Sequence, residues 1–266
     1  MSASLALTWG GSTRAVISRI AATVPRMTQT TKPLAVLVPT RGRPQSASRL
    51  QQAFADTDSL NAVPVFVLDA DDPELPGYLA RAGVGEITHL VIHDGVGGAG
   101  MTAALNYAAN IFAGEYDALG FMGDDHLPRT AGWDAHVLGA LAGPGPAVVY
   151  GNDLLQGETL PTAAFMPSRL VRALGFMAPP VLRHLYADNF WLELGRGLGA
   201  LRYLPDVVIE HLHPAAGKAA MDERYAAVNA SEADAADRAA WLEWRGGDGF
   251  TAALYRVLDA YGEVAA

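Results

Sequence analysis

The sequence predicts an α/β protein built on a mostly parallel sheet with helices on both faces. Three observations predict it. Short apolar runs such as "LAVLVP" recur along the chain, each too uniform to be half-exposed and each short enough to be a buried parallel strand. Segments of helical periodicity separate them, and that alternation is the pattern of strand-helix-strand units. Polar residues and glycines collect just after the runs, where open α/β sheets bind ligands. At 266 residues the chain suffices for one large α/β domain or two small ones.

Taken in order, "LAVLVP" (residues 34–39) is ended by proline and reads as the first strand. "RPQSASRLQQAFAD" follows as a helix with Leu50 and Phe54 on one face. "VPVFVLDADD" is a second strand that runs into acids, "ELPGYLARAG" a short helix and "THLVIHD" a third strand. A glycine loop leads into the helix "MTAALNYAANIFA", and "ALGFMGDDH" reads as a fourth strand. "GWDAHVLGALAG" continues as helix and "AVVYGND" as strand. After about residue 160 the alternation weakens: "LPTAAFMPSRLVRALGFMAPP" is mixed loop and helix, "YADNFWLELGRGLG" a helix ending at its glycines, and "LRYLPDVVIEHLHP" one or two strands. "SEADAADRAAWLEW" opens with a Ser-x-x-Asp arrangement close to a capping box, which places a helix there.

Composition narrows the chemistry. The net charge of −9 argues against a chain whose main business is gripping a nucleic-acid backbone. There are no cysteines, so disulfides, thiolate metal sites and cysteine nucleophiles are excluded, and any metal must use Asp, Glu or His. No apolar run approaches the roughly 20 residues that span a bilayer, and the expected location is the cytoplasm. Residues 1–31 stand apart, with Arg14, Arg19 and Arg26 as their only charges and no firm pattern; they read as a flexible arm, with Met27 a candidate natural start.

The strand ends carry the polar residues. "TRGRP" follows the first, Asp69, Asp71 and Asp72 the second, a glycine loop the third, and Asp124, Asp125 and His126 the fourth. Two acidic clusters on one edge repel each other, and a hard divalent cation is the simplest compensation. Gly95, Gly97 and Gly100 have the G-x-G-x-x-G spacing of a dinucleotide loop, which keeps an NAD-dependent oxidoreductase open, although that fingerprint normally follows the first strand of its unit. A plain strand-to-helix turn is the other reading of those glycines. Asp188 can cap a helix, His211 and His213 can be structural histidines, and "MDERY" (residues 221–225) reads as a solvated helical start.

Taken together, "LAVLVPTRGRP", "FVLDADD", "GGAGMTAALNYAAN" and "LGFMGDDHLPRTAGW" resemble the ordered signature of a GT-A glycosyltransferase, nearest to family 2-like and bacteriophage-type members, over roughly Leu34 to His213. The resemblance implies a single GT-A domain over 32–266, with a nucleotide-sugar half to about residue 150 and an elaborated acceptor half after it. It implies that Pro39, Thr40, Arg41 and Arg43 line the nucleotide, that Asp69 or Asp71 approaches the base, and that Gly100, Met101 and Asn106 shape the ribose and phosphate side. Asp125 then takes the metal place of the DxD motif on Mn²⁺ or Mg²⁺, with His211 or His213 as a further ligand. Asp188 stands where a carboxylate able to deprotonate an acceptor hydroxyl is expected. The implied donor is a nucleoside diphosphate sugar; the acceptor is a hydroxyl of a glycan, a protein or a modified nucleic-acid base. Where members often read Asp-Asp-Asp this chain has Gly123-Asp124-Asp125, so the first acid is missing unless Asp124 replaces it in contacting the ribose. A catalytically inactive nucleotide- or glycan-binding module is the remaining alternative.

Overall fold

Strand β1 (Leu34–Thr40) is buried along almost its whole length: it has parallel neighbours on both edges, β2 (Ala62–Asp69) and β4 (Ala118–Phe121), and helices over both faces. Such a strand has no solvated face, which is why its sequence is uniformly apolar. The computed structural model describes residues 33–213, 217 and 231–262; the expected N-terminal arm and the "MDERY" segment lie outside them.

Between β1 and β2 runs α1 (Pro44–Asp56), with proline at its start, and α2 (Leu75–Gly83) leads from β2 to the edge strand β3 (Leu90–His93). α3 (Met101–Phe112) connects β3 to β4. The stretch "ALGFMGDDH" is not one strand. β4 stops at Phe121, a turn closed by the His126 amide on the Gly123 carbonyl (3.1 Å) intervenes, and β5 (His126–Pro128) starts a different pairing. α4 (Trp133–Leu141) and β6 (Val148–Asn152) follow as expected.

The weakly patterned region resolves into β7 (Phe165–Pro167), α5 (Ser168–Leu174), α6 (Ala187–Gly197) and one long strand, β8 (Leu201–His211). α7 (Ser231–Gly246) lies where the capping pattern placed it, and α8 (Asp248–Gly262) adds a helix that the sequence reading did not assign. The strand order is β3-β2-β1-β4-β7-β6-β8-β5. The first four strands are the expected parallel half. In the other half β7 runs antiparallel to β4 and β6, β8 is parallel to β6, and β5 is antiparallel to β8.

Alternate residues of each strand point to opposite faces, and two cores result. Ala35, Leu37, Val65 and Val67 pack with α3, α5, α6, α7 and α8, while Leu34, Val36, Val38 and Phe66 pack with α1, α2 and α4. Leu50 and Phe54 of α1 are buried in the second core, with Trp133 edge-on to Phe54 at 5.2 Å between ring centroids. The helices therefore cover both sheet faces and leave the carboxyl ends of the parallel strands open.

Candidate functional site

Those strand ends border a cleft of about 420 Å³. Its first wall is the loop after β1. Pro39, Thr40, Arg41 and Arg43 all line the cleft, and the β2–α2 segment grips each residue of the 40–43 turn. The Tyr78 hydroxyl lies 3.0 Å from Thr40 Oγ1 and accepts the Arg43 amide at 2.8 Å. The Arg41 guanidinium donates to Asp69 Oδ2 (3.2 Å) and pairs with Asp71, and the Gly42 amide donates to Asp72 Oδ2 (2.8 Å). The first acidic cluster is thus partly compensated by Arg41 and by backbone amides. Asp69 lines the cleft; Asp71 is 83% exposed and flanks it through Arg41.

The glycine loop comes off an edge strand, not the first strand of the unit, and the strand order turns antiparallel after β4, so the arrangement is not that of a dinucleotide fold. Gly100 lines the cleft with Met101, and its own constraint is a protein contact. Its φ is +99°, and a Cβ there would lie 2.6 Å from the Arg183 carbonyl oxygen, which also accepts the Thr102 amide at 3.1 Å. Only glycine allows that approach. Asn106 is elsewhere: its amide donates to the Ala178 carbonyl and its oxygen accepts the Met177 and Ala178 amides, so it clamps a turn and does not line the cleft.

The centre of the cleft is set by strand pairing. β5 and β8 place His126 directly opposite His211. The Leu212 amide bonds to the Asp125 carbonyl on one side and the Arg129 amide to the Val208 carbonyl on the other, which makes 126/211 a non-hydrogen-bonded pair, the kind whose side chains approach most closely. Their rings stack at 4.2 Å. Asp125 faces both, its Oδ1 3.3 Å from His126 Nδ1 and its Oδ2 3.5 Å from His211 Nε2. His213 lies edge-on to His211 at 5.0 Å and also lines the cleft. Gly123 lies close against this group: a Cβ there would lie 2.5 Å from Asp125 Oδ1, so the carboxylate would have to turn aside.

Among the described residues, Asp125, His126 and His211 bring one ligand atom each within 4.8 Å of one another. The buried His126 Nε2 and His211 Nδ1 have no hydrogen-bond partner. Those two nitrogens are not the ones that face Asp125, so the donor set that suits a divalent cation is the carboxylate with the facing His126 Nδ1 and His211 Nε2. The members are not equivalent: the Gly123 amide donates to His126 Nδ1 (3.0 Å), which occupies that lone pair, so Asp125 and His211 are the better-matched pair. His126 is the residue of this centre that sequence reasoning grouped with the acids but did not assign; its signal was its place directly after Asp125.

Electrostatics separate the neighbouring acids. Burial, then the charge of Asp125, pushes the Asp124 carboxyl up to about 6, against hydrogen bonds from Thr40 and Arg43. For Asp125 burial acts upward too, yet the adjoining His126 and His211 outweigh it and hold the group well below the usual carboxylate range. Burial, then His126, lowers His211, and burial, then His211, lowers His213, which favours the neutral form that ligates metals.

The far wall comes from the α6 and α7 region. Asp188 lines the cleft in the first turn of α6, its Oδ1 accepting the Asn189 amide (2.9 Å), and burial raises its pKa. Asp188 does not hold the cap position, which falls to Tyr186 with no side-chain cap hydrogen bond; it lies inside the first turn and faces the cleft. Ahead of it Tyr186 adopts φ +70° and donates its hydroxyl to Asp234 Oδ1 at 2.9 Å; that contact is what the expected capping-box acid makes. Asp237 of α7 accepts the amides of Arg183, His184 and Leu185.

No protein-family model matches the sequence, and no curated protein does. Solved structures match. A mannosyltransferase from Pyrobaculum calidifontis in complex with GDP-Man and Mn²⁺ superposes with a TM-score of 0.55 at 15% identity, over 94% of this chain and 82% of that one. The chain has a GT-A fold. Two further GT-A-like matches are glucosyl-3-phosphoglycerate synthase from Mycobacterium tuberculosis with Mn²⁺, UDP and phosphoglyceric acid (TM-score 0.51, 12% identity, 86% of this chain and 78% of that) and S. aureus TarS 1-349 with UDP (0.51, 14%, 66% and 59%). On this GT-A frame the residues lining the cleft cluster at the carboxyl ends of the strands, where open α/β folds take their ligands.

Proposed function

We propose that this protein is a metal-dependent glycosyltransferase that moves a hexose from a nucleoside diphosphate donor to a hydroxyl acceptor. The convergence of Asp125, His211 and Asp188 with Arg41 and Asp69 in one cleft of a GT-A fold carries the reading. Residues 32–266 act as one catalytic domain of the family 2-like, bacteriophage or bacterial type, working in the cytoplasm.

Asp69 accepts a hydrogen bond from the base, with Asp71 holding Arg41 alongside, and Thr40, Arg41, Arg43, Gly100 and Met101 surround the ribose and phosphates. Asp125 and His211, flanked by His213, hold Mn²⁺ or Mg²⁺ in the DxD place. Such an ion neutralises charge that develops on the departing diphosphate. Asp124 is the counterion of Arg43 and accepts the Thr40 hydroxyl. Asp188, whose raised pKa makes its carboxylate a stronger base, accepts the proton of the acceptor hydroxyl, on a glycan, a protein or a modified nucleic-acid base.

The test is release of nucleoside diphosphate from UDP- and GDP-sugars with Mn²⁺. Release that stops with chelator is expected, and Asp188→Asn should keep donor binding while losing about 10²-fold in turnover. Donor binding with no release, even by hydrolysis, would mark an inactive binding module. Metal-independent binding of NAD would mark an oxidoreductase.

A further inference from the structure

We propose that the Tyr78 hydroxyl, which cannot touch any ligand, is a positioning residue of the donor site and acts on it through Thr40. The inference rests on the donor-site reading above. Tyr78 is the buried residue of α2, with no exposed surface. Its hydroxyl has two neighbours, the Arg43 amide at 2.8 Å and Thr40 Oγ1 at 3.0 Å. Thr40 in turn donates its hydroxyl proton to Asp124 Oδ2 in a short hydrogen bond.

With Asp124 ionised, above its raised pKa, the directions of these bonds are fixed. A threonine hydroxyl has one proton, and Thr40 spends it on a carboxylate that, when ionised, only accepts. Tyr78 must therefore donate to Thr40 Oγ1. The Arg43 amide, which only donates, then fills the acceptor side of the Tyr78 oxygen. The result is a one-way chain, Arg43 N–H to Tyr78 to Thr40 to Asp124, and the Arg43 guanidinium closes the ring on Asp124 Oδ1 at 3.3 Å. Both ends of the ring line the cleft, and its middle link does not.

This ring joins the loop after β1 to the "GDDH" turn after β4, two segments that otherwise belong to separate strand ends. A phenylalanine at position 78 keeps the ring volume and the burial but breaks the chain at its only hidden link. Thr40 then loses the donor that fixes its rotamer, and Arg43 loses the acceptor that holds its backbone.

The decisive experiment is a double-mutant cycle on the whole protein with Tyr78→Phe, Thr40→Val and the pair, reading the Kd of UDP and of GDP in the presence of Mn²⁺ by calorimetry. Tyr78→Phe should weaken nucleotide binding about tenfold, the size expected when one buried hydrogen bond is lost. On the Thr40→Val background the same change should cost clearly less than in the wild type, because only the route through the Arg43 amide is then left to lose. A role in folding alone would lower the melting temperature and leave the Kd unchanged, and that result would overturn the proposal, as would a full additive penalty in the pair. If the wild type itself binds neither nucleotide, the donor-site reading fails, and hydrogen exchange of the Arg43 amide without ligand still tests the chain: faster exchange in Tyr78→Phe supports it, and unchanged protection refutes it.

Discussion

Asp124 and Asp125 are adjacent carboxylates in one turn, and their surroundings drive them apart. Asp124 is held under the β1 loop, where burial and its neighbour's charge push it up to about 6; Asp125 faces two imidazoles that keep it low. The signs for stability are opposite. Asp124 binds its proton more tightly folded than unfolded, so its contribution is fully present below about pH 4 and lost as the pH rises through about 6. Asp125 contributes above about pH 4 and loses that contribution as the pH falls toward its depressed value. Between pH 4.5 and 6.5 the slope due to this pair therefore belongs to Asp124. The melting temperature of metal-free wild type should fall across that range relative to Asp124→Asn, which keeps an acceptor for Thr40 but does not titrate. Parallel pH profiles of the two proteins would show that Asp124 is not the buried acid described.

At the scale of elements, two devices shape the cleft. The β5–β8 register puts His126 beside His211, and α7 anchors the segment before α6. Asp237 takes three consecutive backbone amides from Arg183 to Leu185, and the same segment meets Gly100 and Thr102 across the cleft floor. Asp237→Ala leaves those amides without their acceptor, and a loss of about 3 kcal/mol in urea unfolding is expected. Amide exchange at residues 183–185 should accelerate with it. A stability change within about 0.5 kcal/mol would mean water or another acceptor replaces the carboxylate.

Elements governed by local pattern were legible before any coordinates. β1, β2 and α1 followed from apolar runs and a helical stripe, because buried parallel strands and amphipathic helices write themselves into contiguous residues. The break of "ALGFMGDDH" into β4 and β5 was not, since what ends one strand and starts the next is pairing with β8, far along the chain. The same reason hid the role of His126. Asp69, Asp71 and Asp72 were legible as a strand-end cluster, but that Arg41 and the Gly42 amide satisfy them depends on how two loops meet. Asn106 sat inside a suggestive motif and was drawn away by the Met177–Ala178 turn.

For the whole molecule, the claim is that two halves of the sheet meet at one metal-dependent nucleotide site. The parallel half brings Arg41, Asp69 and Gly100, and the mixed half brings His211 opposite the turn that carries Asp125. Asp125 is the residue on which both halves depend, and its replacement by Asn preserves volume while removing an anionic ligand from a hard cation. The most direct measurement is the melting temperature of wild type and Asp125→Asn with uridine, guanosine, thymidine and cytidine diphosphates, each with and without Mn²⁺. The wild type should be stabilised by at least one of these nucleotides only when Mn²⁺ is present, and Asp125→Asn, which melts lower than metal-free wild type because it forfeits the attraction of His126 and His211, should lose most of the added stabilisation. A wild type that responds to none of the four with metal, or an Asp125→Asn protein that responds like wild type, would contradict the account.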